Sequence, residues 1–460
     1  MPGRTAVAPY ERKVTPVERI FSLSPFSVVA VVARIQGEVT HSMLSKAVSR
    51  VQQRHALLRV RIKTDNDPVP WFTSEGVEAI PVTALPRESA EHWMNVYHEE
   101  CRKPFEFDKR PPVRFILIQS PVESELLIFC HHIVCDGMSL AYLARDLMSH
   151  LGNPARAVDV LPDPAPIDKE NMPGELSLNP FFRYVIKRIN RKWERDRVMF
   201  DQEDYRNLHE AYWLQARHRM LAVELTAAQT TAIVLRCRQE KITVNSALTA
   251  AFSGAQALVL GDRSSHPGIG IAGSVRDRLP KPAGDAMGFY AGLVNLNNRY
   301  NRKTVFWENA RRLHRTVTPL FNNRQLFREP LLWCYLDPAI LEAIHFKILG
   351  GLVPPHFTRY QKLSAFHKQK DVVWSLLKRK KMESLGKPIM GTAVTNLTRL
   401  DFPEQYGDLV LDRLIMNPGG AFPPAMVNLV LGAVTVAGKL SLVLEYVEDT
   451  VDTETMEKIR

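Results

Sequence analysis

The segment Phe129-Cys130-His131-His132-Ile133-Val134-Cys135-Asp136-Gly137 constrains this chain more than any other. An apolar run (Leu126, Leu127, Ile128) leads into it and reads as a strand, and residues 139–150 follow at helical spacing. Two histidines therefore stand where a rigid strand gives way to a helix, with an Asp and a Gly in the turn. Successive strand side chains point to opposite faces, so His131 and His132 cannot do the same work. One can look into a cleft while the other packs or hydrogen-bonds inside the fold.

An imidazole near its ordinary pKa of ~6.5 can take a proton from a hydroxyl or amine and return it to a leaving group. A general base is accordingly the favoured reading. Asp136 can orient that imidazole directly or hold the loop through a distant cation, and Gly137 lets the chain make the turn. A metal site is disfavoured, because adjacent histidines on a strand diverge and no third ligand lies at helical spacing. A nucleophile pair of Cys135 and His132 would have poor attack geometry across a turn. A satisfied structural histidine pair is the remaining alternative.

His131-His132-x-x-x-Asp136-Gly137 resembles the active-site motif of the chloramphenicol-acetyltransferase-like superfamily. That superfamily includes coenzyme A-dependent acyltransferases, peptide condensation domains, alcohol acetyltransferases and polyketide-associated acyltransferases. Four further stretches are similar to its landmarks, in family order. They are residues 28–37 with Leu44 to Arg54-His55-x-x-Leu58-Arg59, Ile271 to Leu279, Met287-Gly288-Phe289-Tyr290 to Leu296, and Thr395-Asn396-Leu397-Thr398-Arg399-Leu400. They span about residues 15–450. The D-F-G-W-G element of plant acyltransferases is not matched: Asp401-Phe402-Pro403-Glu404-Gln405-Tyr406-Gly407 keeps only its first two residues. Leu349-Gly350-Gly351 resembles a carrier-protein prosthetic site, but no Ser follows where one is needed.

The resemblance implies an α/β fold of two lobes, each a mixed sheet flanked by helices, with a channel between them. It implies acyl transfer from a thioester, on coenzyme A or an acyl carrier protein, to a hydroxyl or amine. His132 would be the general base, with His131, Asp136 and Gly137 supporting it. Asp136 would pair with an Arg at the start of the second half, here Arg276, with Arg278 as the fallback. Thr395 and Asn396 would donate hydrogen bonds to the developing oxyanion. No permanently bound cofactor or metal is expected, and the donor would be a substrate. Two alternatives stay open: a condensation enzyme joining carrier-bound substrates, and a non-catalytic module that recruits carrier proteins. Members of the latter kind typically lose the second His, which is present here.

At 460 residues, 45% hydrophobic and 24% charged, the chain can bury substantial cores. The expected division is an N-terminal lobe over 1–152, a Pro-rich linker or crossover over 153–180, and a C-terminal lobe over 181–460. Residues 1–19 are polar, with no apolar leader, and no apolar run reaches the ~18 residues of a membrane span, so a soluble cytoplasmic protein is expected, and a monomer is expected as well. Five Cys without regular spacing read as free thiols.

Part of the net charge of +11 sits in two segments. Residues 181–198 carry seven cations, and Phe182, Val185, Ile186, Ile189 and Trp193 form one helix face expected to dock on the body. Residues 368–381 repeat the character, ending Lys378-Arg379-Lys380-Lys381. Solvated surface faces are the plain reading; attraction of an acidic carrier, a donor phosphate or an anionic membrane is the alternative. Nucleic acid is excluded as a partner, since the cations are not interleaved with repeated aromatics. Strands are expected at 27–35, 58–62, 113–119, 126–132, 221–225, 267–274, 290–297, 394–397, 408–416, 426–436 and 440–446. Residues 325–390 carry mixed patterns that fit neither period.

Overall fold

The computed structural model describes residues 9–64, 69–261, 268–383, 391–422 and 427–460. Residues 1–8 and the side chains of Arg379, Lys380 and Lys381 lie outside the described residues. Two six-stranded mixed sheets, each flanked by helices, form two lobes. The first runs in the order Gln405–Tyr406, Leu409–Asn417, Val28–Gln36, Glu123–His131, Val113–Gln119, Val82–Pro86. Its pairs are antiparallel except the last, which is parallel. The second runs Ala291–Asn297, Gly268–Ser274, Gly391–Arg399, Val427–Val436, Lys439–Val447, His218–Glu224. Here Gly391–Arg399 is parallel to both of its neighbours.

The strand Glu123–His131 lies in the middle of the first sheet, and from Ser124 to His131 every residue is buried. That explains its near-continuous apolar sequence, because a strand covered on both faces has no alternation to show. The helices His41–Arg54 and Gly137–Gly152 pack together beside that sheet through Leu44, Ala47, Val51, Leu140, Leu143 and Leu147.

The sheets do not divide at residue 152. Strands Gln405–Tyr406 and Leu409–Asn417 leave the C-terminal part and complete the first sheet at the free side of Val28–Gln36. Residue 417 therefore sits in the first sheet, and Val427–Val436 returns to the second. Backbone hydrogen bonding drives this exchange, since the apolar strand 28–36 would otherwise present an unpaired edge. Arg34 and Arg413 both reach Glu224 across the lobes, at 2.7 and 3.3 Å.

Two local expectations also differ. The stretch 58–62 is not one strand: Ala56–Arg59 is a 3-10 turn and only Arg61–Lys63 is extended, in a small third sheet with Trp71–Thr73 and Glu11–Lys13. The stretch 325–390 contains four described helices, Arg328–Trp333, Pro338–Leu349, Tyr360–Lys368 and Val372–Glu383. Pro338–Leu349 is buried nearly all round, so its periodicity is masked. No single helix among the described residues is long and apolar enough to cross a membrane.

Candidate active site

The two histidines separate at the strand end. His131 is fully buried. Its Nε2 lies 3.1 Å from the Ser24 carbonyl, so Nε2 carries the proton, and Nδ1 accepts from the Ile133 amide at 3.3 Å. Phe107 meets the ring edge-on at 4.9 Å and Phe105 at 5.8 Å. Burial pushes this imidazole down to about 3, so it stays neutral at ordinary pH. His131 thus ties the segment 20–24 to the strand end.

His132 faces the other way and keeps part of its surface accessible. Its Nδ1 is 3.1 Å from the Cys135 carbonyl, which can only accept, so Nδ1 carries the proton and Nε2 presents a lone pair. Burial lowers its pKa, and the Cys135 carbonyl, Asp136 and the Pro418 carbonyl partly offset that. Phe21 packs tilted at 5.2 Å and Phe289 edge-on at 5.7 Å, and the two phenyl rings touch each other at 4.5 Å. The result is a neutral imidazole between two phenyl rings, with Nδ1–H committed to the Cys135 carbonyl and the Pro418 carbonyl also beside the ring. Two residues after Phe21, Leu23 has a φ of 57°, a left-handed conformation that costs a non-glycine residue ~1–2 kcal/mol. The turn is held by His131 on one side and by the Phe21–His132 contact on the other.

Asp136 does not serve as the third member of a triad. It caps the helix Gly137–Gly152, with Oδ1 accepting from the Ser139 amide at 2.7 Å. Arg276 reaches the same oxygen at 2.8 Å, and Oδ2 accepts from the Tyr290 amide at 2.9 Å. Burial by itself would raise this carboxyl, but Arg276 and Ser139 outweigh it and hold the pKa low. Arg276 also donates to the Gly284 and Ala286 carbonyls and to the Ser139 hydroxyl. The carboxylate therefore bolts the histidine turn to the second half of the chain. Arg278 points elsewhere, to Asn323 and the Phe321 carbonyl.

Gly137 has no left-handed φ, so the turn itself does not demand glycine. Close approach does: a Cβ there would lie 2.9 Å from Leu397 Cδ2 of the second sheet. Gly288, at φ 153°, does need its freedom, and its carbonyl accepts from the Ser139 hydroxyl at 2.7 Å.

The pair Thr395 and Asn396 is split by strand alternation. Thr392 hydrogen-bonds Gln256 and Val394 packs in the second-lobe core, so the even positions face the helix Val244–Leu260. Ala393 and Leu397 pack toward Ala421 and the first-lobe core, so Thr395 shares the inter-lobe face. Asn396 lies 3.4 Å from Asn245 and opens onto a cavity of about 690 Å³ lined by Thr230, Arg238, Asn245, Ser246 and Phe321. Neither His132 nor Asp136 lines that cavity. Asn396 therefore lies on the face of the strand opposite to Thr395, as the period of two requires.

Sequence reasoning missed Phe21 and Ser139. Phe289 stood within a landmark stretch without a role, whereas nothing local marks Phe21, which reaches His132 only through the turn at Leu23. Among the described residues, no three His, Cys, Asp or Glu side chains converge as metal ligands would.

Residues 14–152 match the family model of the Condensation domain. A segment of 117 residues is 31% identical to a nonribosomal peptide synthetase of Aspergillus flavus, covering 25% of this chain and 2% of that protein. Surfactin synthase subunit 1 of Bacillus subtilis is 32% identical over 118 residues, 25% of this chain and 3% of its own length. The matched segments are thus a small fraction of those relatives. Among solved structures, the first condensation domain of the calcium-dependent antibiotic synthetase is similar over 98% of this chain and 94% of its own, at 12% identity and a TM-score of 0.60. Trichothecene 15-O-acetyltransferase of Fusarium sporotrichioides is similar over 100% and 96%, also at 12% identity and 0.60. Polyketide synthase associated protein 5 of Mycobacterium tuberculosis gives 98% and 95%, at 14% identity and 0.57. The chain thus shares the two-lobed fold of these solved structures, and its residues 14–152 are similar to the Condensation domain.

Proposed function

We propose that this protein is an acyltransferase that moves an acyl group from a thioester to a hydroxyl or amine, with His132 as general base. The observation that carries the reading is the His132 imidazole: Nδ1–H is committed to the Cys135 carbonyl, which leaves Nε2 as the basic nitrogen of a partly accessible side chain. In the transfer, Nε2 takes the proton of the acceptor O–H or N–H as the heteroatom attacks the thioester carbon. The tetrahedral intermediate then collapses with cleavage of the C–S bond. The departing thiolate takes the proton back from Nε2, and no covalent acyl-enzyme forms. Depression of the His132 pKa keeps the base free at neutral pH.

Asp136 and Arg276 act as positioning residues, since both are committed to fixing the turn that carries His132. Thr395, on the inter-lobe face, is the remaining candidate to donate to the oxyanion. The donor is proposed to be acyl-coenzyme A or a phosphopantetheine-borne acyl group. A second reading is supported by the family match over residues 14–152: condensation of two carrier-bound substrates, which uses the same base and the same thioester.

The test is incubation with acyl-coenzyme A and with an acylated holo-carrier protein, following thiol release with and without alcohol or amine acceptors. Release that depends on His132 supports the mechanism, and the preferred donor separates the two readings. A folded His132→Ala protein with wild-type transfer would sink the proposal.

A further inference from the structure

The two cationic segments lie side by side, although nearly two hundred residues separate them in sequence. On the helix Pro180–Arg195, Arg183, Lys187, Arg188, Arg191, Lys192 and Arg195 are all exposed. None of the six is in an ion pair with a described residue. Val372–Glu383 packs beside this helix, and Lys368, Lys370 and Lys378 are exposed on or just before it. A groove of about 670 Å³ runs along the pair, lined by Tyr184, Val185, Arg188, Ile189, Lys192 and Val372.

The apolar side of the helix is also divided. Ile186 and Trp193 are buried, and Trp193 joins Leu208, Ile340, Phe346 and Val373. The expected docking stripe does not include Phe182. Phe181, Phe182 and Tyr184 project from the first turn with 68%, 58% and 59% of their surface exposed. The first carboxylate on the helix is Glu194, at its far end.

We propose that this face binds the surface of an anionic lipid bilayer. Phe181, Phe182 and Tyr184 enter the boundary between headgroups and acyl chains, while Lys187, Arg188, Arg191 and Lys192 pair with lipid phosphates. Cations alone would suit any acidic partner. Three aromatic rings within four residues, uncovered at the tip of a cationic helix, gain only from an apolar medium that needs no shape match, which an interface provides. The cations then add electrostatic attraction to anionic headgroups. Neither His132, Phe21 nor Phe289 lines the groove, so attachment is separable from the reaction.

The experiment is co-sedimentation of the full chain with phosphatidylcholine vesicles and with vesicles that also contain phosphatidylglycerol. Binding to the mixed vesicles only, and release by salt, is expected, because exposed charges are screened over ~10 Å at 0.1 M ionic strength. The variant F181S/F182S/Y184S should bind weakly even at low salt. Lys187→Gln with Lys192→Gln should weaken partition on the order of tenfold, and R188E/R191E/K192E should abolish it. All these positions are exposed, so unchanged far-ultraviolet dichroism and Tm are the folding check. His132→Ala should sediment like the wild type, which keeps this result independent of the proposed reaction. Failure of the wild type to sediment with the mixed vesicles overturns the proposal. So does full binding by the aromatic-less variant. Capture of an acidic holo-carrier protein through the same cations, without vesicle binding, would assign the face to a protein instead.

Discussion

His131 and His132 are neighbours in sequence and the same side chain, yet their surroundings share almost nothing. On one face Phe105, Phe107 and the Ser24 carbonyl enclose His131 and consume both ring nitrogens. On the other, Phe21 and Phe289 flank His132, whose Nδ1–H goes to the Cys135 carbonyl, and part of the side chain stays accessible. Burial lowers both pKa values, so titration alone does not distinguish them. What separates them is that both ring nitrogens of the buried His131 are engaged, whereas the His132 side chain stays partly accessible. A strand end produces that difference at no extra cost, because its alternation sends one ring into the core and the other toward the junction.

The largest test of the contrast is substitution at each position. His132→Ala should lower kcat/KM by about 10²–10⁴-fold, the usual worth of a general base, with Tm unchanged. The remaining activity of the wild type should rise with pH through a pKa below the ordinary ~6.5 and be flat above neutrality. His131→Ala should do the reverse, losing about 1–3 kcal/mol of stability because the Ser24 carbonyl and Ile133 amide lose a buried partner. Equal losses of stability at the two positions, read by urea titration, would erase the distinction.

A second effect of several kcal/mol concerns the bolt that holds the turn. Asp136→Ala strands the buried Arg276, and Arg276→Ala strands Asp136; each should cost about 3–5 kcal/mol. The double variant should lose far less than the sum of the two. Simple additivity in that cycle would show that the pair is not a coupled unit.

Acid should weaken the His131 face next. Its pKa in the folded state is about 3 against an ordinary ~6.5, so the native protein stays neutral while the unfolded chain takes up a proton. Stability is then fully present above ~6.5 and declines as pH falls toward about 3, by roughly 1.4 kcal/mol per pH unit at the steepest. Buried His209, held at about 3, and His345, held at about 4 with its Nε2 donating to the Ile20 carbonyl, act in the same direction. Urea midpoints between pH 7 and 5 should fall more steeply for the wild type than for His131→Gln. Matching slopes would mean that His131 is not a buried neutral ring.

The smallest effect lies at the lobe contact. Gly137→Ala places a methyl 2.9 Å from Leu397 Cδ2, an overpacking cost of about 1–3 kcal/mol offset by the ~1 kcal/mol that Ala contributes within a helix. Leu397→Val should restore stability in the Gly137→Ala background while lowering it in the wild type. Absence of that rescue in thermal melts would put the glycine requirement back into the turn.

Much of this molecule is decided locally. The strand–turn–helix around His131 and His132, the N-cap at Asp136 and most helix and strand positions follow from periodicity and capping, which act over a few residues. The His131/His132 divergence follows from the same alternation, as does the separation of Thr395 from Asn396. Other features came only with the tertiary structure. Strand 409–417 joins the first sheet because an edge needed hydrogen bonds, a demand that has no local signal. Phe21 reaches His132 through a strained turn at Leu23, and Gly137 is glycine because Leu397 arrives from another lobe. The helix Pro338–Leu349 hid its period because burial on nearly all sides removes the polar face that would reveal it. Phe181 and Phe182 stayed outside because a helix docks only where its partner surface ends, and a sequence does not state where that is.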